Sequence, residues 1–359
     1  MNKIFQTRIL TILAVVLGIL LLNSCQKEFT ITATSNDATM GTVTGSGVYK
    51  KGTIVQLEAI PASGCQFEKW EDGNTDNPRS ITVEKNATYT AVFFVKGSFS
   101  VSSTQRVLFA SGNLQWSATG SHTVAGGGTE AGTWRFAPNQ WDTIGAKNSN
   151  ISSTYTDWID LFGWGTSGYD NKYPYMLSVK VEDYGNGEND IAGTNYDWGV
   201  YNAIYNPTTN TTDVPGTWRT LTKDEWKYLL NTRPTSSNIR YAKGTVCGIE
   251  GLIIVPDDWN SSIYSLNDTN NKRIDYTSNT IFTIDWAKME SAGCVFLPAD
   301  GKRNGTSVNY VGSLGLYWAT TCNRSNGVYG LYFDSNNLDP LSFGNRSDGK
   351  FVRLVKDVK

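Results

Sequence analysis

Apolar and polar residues alternate through most of the first hundred positions. "TITATS" (30–35), "GTVTGSGVYKKGTIVQLEAIP" (41–61), "CQFEKWEDG" (65–73) and "RSITVEKNATYTAVFF" (79–94) each carry a period of two. That period sends successive side chains to opposite faces, so the segment predicts short half-buried strands joined by glycine turns. Before it, Lys3 and Arg8 precede an unbroken apolar run, Ile9 to Leu22, that is short for a bilayer span and is followed by Asn23-Ser24-Cys25. A basic start and a short apolar stretch predict an export signal.

Past Lys96-Gly97 the texture changes. "GLIIVP" (251–256) and "CVFLPA" (294–299) are continuous apolar runs that meet a proline, which predicts buried strands that stop there. Thr222, followed by Asp224 and Glu225 and then Trp226, Leu229 and Leu230, has the cap and acidic first turn of a helix; Ile281 to Glu290 predicts a second. Near the end, Tyr329, Leu331 and Phe333 alternate with Gly330, Tyr332 and Asp334, placing Tyr329 inward and Tyr332 outward. Two polar loops flank that strand, "CNRSN" (322–326) and "DSNNLDPLSFGNRSDG" (334–349).

Composition narrows the function. Thirty-five glycines, eighteen tyrosines and twelve tryptophans, with only 18% charged residues, describe a β-rich extracellular protein whose turns need glycine and whose faces can use aromatics. A net charge of −2 offers nothing to track a phosphate backbone, so nucleic acid is not expected as a partner. His122 is the single histidine, which excludes chemistry that needs a histidine pair or a two-histidine metal site. Cys65 falls in the first segment, whereas Cys247, Cys294 and Cys322 share the second; their pairing stays open. Asp257-Asp258 beside Trp259 raises the question of an acid pair or, with Asn260, a calcium site. Neighbouring residues usually point apart and no spaced calcium loop is present, so a turn-capping role is expected, with no metal and no cofactor.

Several motifs resemble known families. Leu22-Asn23-Ser24-Cys25 resembles the lipobox of bacterial lipoproteins, which implies removal of residues 1–24 and a membrane anchor through lipid on Cys25. Gln26-Lys27-Glu28 is similar to the tag that sends some lipoproteins to the outer face of the outer membrane. Gly41-Thr42-Val43, Tyr49, Gly52, Leu57-Glu58-Ala59, Pro61, Gly64, Phe67, Trp70, Asp72-Gly73 and Tyr89 to Phe93 together resemble the divergent internalin-type B-repeat. That resemblance implies a small β-rich, β-grasp-like domain within 25–96, serving as a spacer or adhesion unit without catalytic residues. Its members usually place an aromatic where Cys65 stands; Cys65 is read as a small buried apolar residue and Trp70 as the core anchor.

"LFASGNLQW" (108–116), "WRFAPNQWDTIG" (134–145), "WRTLTKDEWKYLL" (218–230), "GLIIVPDDW" (251–259), "LPADGKRNGT" (297–306), "GLYWATT" (315–321) and "FVRLVKD" (351–357) resemble, in that order, the Fibrobacter-type major paralogous domain. That domain is related in fold to the C-type lectin-like domain of formylglycine-generating enzymes, so the resemblance implies an α+β C-type-lectin-like domain over 97–359. It also implies that "LPADGKRNG" and "YWATT" are consecutive segments of the central sheet and that "GLYF" and "FVRLV" form a closing hairpin, with Arg346 and Arg353 as framework. The enzymes of that fold hold copper on a cysteine pair near the end of the domain; here Cys322 is the only cysteine in that stretch, and no enzymatic activity is expected. What remains is a binding surface of Asn323, Arg324, Asn326, Tyr332, Asp334, Asn336, Asn337 and Asp339 for an extracellular glycan or protein. The alternatives are a structural subunit of a surface or pilus assembly and a formylglycine-generating-enzyme-like or glycan-active enzyme.

Overall fold

The computed structural model describes residues 27–123, 128–323 and 327–358. The export signal and Cys25 lie outside the described residues, as do Arg324 and Asn326. The chain forms two compact units that part between Val95 and Lys96.

The smaller unit is built from two sheets. Four strands lie in the order Gly47–Lys50, Glu28–Ser35, Ala87–Val95, Cys65–Trp70, and three more in the order Gly41–Thr44, Ile54–Pro61, Arg79–Thr82. The sequence pattern works directly here: in Ile54–Pro61, Val55, Leu57 and Ala59 are buried while Gln56 and Glu58 face solvent. Trp70 is fully buried and its indole N–H donates to the Asp76 carbonyl at 2.9 Å, which satisfies the polar atom that burial would otherwise strand. Cys65 is half-buried rather than buried, because its strand lies at the sheet edge, where it packs against the core from one side.

Among the described residues, five further sheets make the larger unit. The two apolar runs behave as buried strands: Leu252, Ile253, Ile254 and Val255 are fully buried, and Ile249–Ile254 pairs antiparallel with Val295–Pro298. Helices are few and short. Thr222 caps Lys223–Lys227 in both directions, its hydroxyl accepting from Glu225 N at 3.2 Å and its own N–H donating to the Glu225 carboxylate at 2.7 Å. The second helix runs Thr283–Ser291. Most tryptophans are interior rather than surface-forming. Trp164 donates to the Ala319 carbonyl at 2.8 Å and Trp318 to the Phe162 carbonyl at 2.7 Å, so each indole bolts one segment to another.

Two expected pairings do not occur. "GLYF" lies in Gly327–Phe333, which pairs with Gly315–Asn323 and Leu338–Asn345, whereas Leu354–Val358 pairs with Arg219–Thr220 and Arg106–Phe109. "LPADGKRNG" and "YWATT" likewise belong to different sheets, since Val295–Pro298 pairs with Ile249–Ile254. Long polar connections let strands adjacent in sequence find partners far along the chain.

Candidate functional site

The three-stranded antiparallel sheet Gly315–Asn323, Gly327–Phe333, Leu338–Asn345 carries most of the expected binding residues. Leu331 and Phe333 are fully buried, and Tyr317 stacks between Phe333 and Phe351 with ring centroids 6.1 and 5.2 Å away. Tyr329 is partly buried against the same core, with the Lys223 ammonium 4.7 Å from its ring. Tyr332, opposite Leu316 in register, points the other way.

Tyr332 donates its hydroxyl proton to the Asp334 carboxylate, whose Oδ1 also accepts from Asn336 N at 2.7 Å and Asn337 N at 2.8 Å. Burial pushes the Asp334 carboxyl up, but these three hydrogen bonds outweigh it and hold the group below the usual carboxylate range. Tyr332 is pushed up to about 12 by burial and by that carboxylate. From below, the ammonium of buried Lys243 donates to the carbonyls of Asp334 (2.7 Å), Asn337 (3.0 Å) and Lys272 (2.8 Å). A loop of small polar residues is thereby fixed before any ligand arrives. Burial lowers Lys243 to about 8.

The expected set does not converge. Asn323 pairs with Gly327 at one end of the hairpin, while Asp334, Asn336 and Asn337 follow Phe333 at the other. Six residue steps of strand put roughly 20 Å between the two groups. Asn336 and Asn337 are exposed, and the Asp339 carboxylate is turned back on Leu341 N at 2.9 Å.

Tyr332 and Asp334 instead join a groove of about 550 Å³. Tyr310 and Phe343, 61% and 52% exposed, line it, together with Ser313, Ser335 and Ser342. Lys302, Asp348 and Lys350 supply charge. Sequence reading missed Lys302, Tyr310, Phe343 and Lys350; the segment around Phe343, expected as a loop, is the strand Leu338–Asn345, paired with Gly327–Phe333.

At the Asn323 end, Cys322 Sγ accepts from Arg346 Nη2 at 2.8 Å, and Cys322 N donates to the Asp190 carboxylate at 2.7 Å. Arg346 also donates to the Gly187 carbonyl, so one buried guanidinium ties the 187 loop to the sheet. Arg353 bonds side chains rather than loop carbonyls, reaching Gln140 Oε1 and Asn113 Oδ1. Asp257 accepts from Arg233 Nη1 at 2.6 Å, Arg106 Nε at 3.2 Å and Ser100 N at 3.0 Å, while Asp258 accepts from Gly97 N at 3.1 Å. These carboxylates fasten the segment that enters the domain rather than cap their own turn. Among the described residues the four cysteines are free, and no three histidine, cysteine or acidic side chains cluster.

The motif of the smaller unit has a physical basis in the same terms. Asp72 accepts a two-pronged bond from Arg79 at 2.9 and 2.6 Å, and Gly73 takes a positive φ of 89° that closes the turn. That bond holds the Asp72 carboxyl below its ordinary value. The Arg79 guanidinium lies 4.9 Å from the Tyr89 ring and 5.8 Å from Trp70. Residues 31–97 match the family model of the divergent InlB B-repeat domain. The smaller unit is a B-repeat. Comparison with curated proteins and with solved structures gives no match. The B-repeat suggests a surface-associated protein, and no described helix is long and apolar enough to cross a membrane.

Proposed function

We propose that this protein is a lipoprotein, anchored through Cys25 and facing the cell exterior, in which the B-repeat is a stalk for a non-catalytic, C-type-lectin-like binding domain. The observation that carries the reading is the groove beside the Asp334 loop, where exposed Tyr310 and Phe343 flank hydroxyls and charges. Aromatic rings left in solvent cost hydration free energy unless something covers them, and they offer large contact area at low entropic cost. The loop next to them is already fixed by Lys243 and Asp334, so little ordering is required on binding. A single cysteine in residues 315–359, where copper-dependent relatives of the fold use two, supports binding rather than oxidation.

The test is a glycan and surface-protein array probed with the full chain. A ligand retained by the wild type should lose about 1–4 kcal/mol of affinity when Tyr310 and Phe343 are both changed to alanine, as central aromatic contacts do. Unaltered binding by that variant would place the site elsewhere.

A further inference from the structure

Lys350 is the unusual member of the groove. It is 2% exposed, and its Nζ lies 4.0 Å from the Trp318 ring centroid. Among the described residues its ammonium has no hydrogen-bond acceptor; its other neighbours are the Asp348 carboxylate, not close enough for an ion pair, and Lys302. The other groove charges are engaged. Lys302 Nζ is 3.9 Å from Asp348 Oδ2, and Asp334 is taken up by Tyr332 and two backbone N–H groups. Gly344 lies across from the ammonium: a Cβ there would stand 2.4 Å from Lys350 Nζ, so the absent side chain is what gives Nζ its room beside the groove. A buried cation with only a ring beneath it costs free energy that an incoming anion would offset.

We infer that the groove takes a carboxylated sugar, its carboxylate seated on the Lys350 ammonium and its ring against the aromatic walls. A single unmatched positive charge suits a monoanion, and nearby Asp348 and Asp334 disfavour a more highly charged group. Ser313, Ser335, Ser342 and the Asp348 carboxylate offer the mixed donors and acceptors that ring hydroxyls need. Burial lowers Lys350 to about 8, which leaves it mainly charged at neutral pH, and a bound carboxylate would raise it again.

This inference rests on the groove being the binding site, and the experiment separates the two. Titrate the full chain with sialyllactose and the methyl glycoside of galacturonic acid, each a monoanion, and in parallel with the methyl ester of each. The acids should bind about tenfold to hundredfold tighter than their neutral counterparts, the span of one charge-assisted hydrogen bond. Lys350→Met keeps the packing on Trp318 and should erase that ratio; Gly344→Ala should crowd the ammonium and reduce the ratio. Equal affinity for acid and ester in the wild type overturns the inference and leaves the groove reading intact, and this comparison decides even if the variants fail to fold. No binding to any of the four overturns the inference, while the groove reading is decided separately by the array and the Tyr310 and Phe343 double variant. Tighter binding of an acetylated peptide bearing a free C-terminal carboxylate would overturn it in favour of a peptide terminus.

Discussion

Asp160 is fully buried, and burial pushes its carboxyl up to about 7, against the pull of the Asn148 amide at 2.8 Å and with Asp300 adding to the rise. In the unfolded chain the group titrates near 3.9. The folded form therefore holds its proton more tightly, and the stability this supplies is complete below about pH 4 and lost as pH rises through about 7. Asp197, raised to about 6 by burial, acts in the same direction, whereas Asp334, Asp357 and Asp72 act oppositely. Comparison with Asp160→Asn isolates one group. Melting temperatures measured at about pH 4.5 and about pH 7.5 should show a smaller acid-side advantage in the variant. An unchanged difference would mean that Asp160 is already ionised in the folded protein. No sequence pattern pointed to Asp160, because its burial depends on the 148 and 300 loops meeting around it.

At the scale of elements, the strand Gly327–Phe333 was legible because alternation is a local property. Leu331 and Tyr332 are neighbours with opposite duties: one is fully buried, the other half-exposed on the groove. Leu331→Ala should lower stability by about 2–5 kcal/mol through loss of burial and the cavity left behind. Tyr332→Ala should cost about 1 kcal/mol or less, as surface changes do, and act chiefly on ligand affinity. Denaturant unfolding of both variants checks this; equal losses would mean that the strand does not have two distinct faces. The helix beginning at Lys223 was equally readable, since Thr222 and Glu225 satisfy each other's N–H groups across three residues. The pairing of Leu354–Val358 was not, because an isolated strand carries no mark of its partner.

For the whole molecule, the anchoring proposal rests on Cys25, and it is checked by metabolic labelling with a fatty-acid analogue. The wild type should be labelled and Cys25→Ser should not; equal labelling would end the lipoprotein reading. The sequence by itself determined the B-repeat, in which every motif residue acts within one short segment: alternation buries Leu57, Trp70 anchors the core and Asp72 clasps Arg79. It also determined the buried runs and the outward turn of Tyr332. Only the tertiary structure decided the site. Lys302, Tyr310, Tyr332, Phe343 and Lys350 lie on separate segments of 302–350 and line one groove, with the Lys350 ammonium against the Trp318 ring. The polar residues that stand together in sequence, Asn323 and Asp334 to Asn337, are parted by the hairpin that contains them. The strand Gly327–Phe333 holds its two ends roughly 20 Å apart, so nearness along the chain became distance in space, while the buried charge of Lys350 arose only from what the fold packed around it.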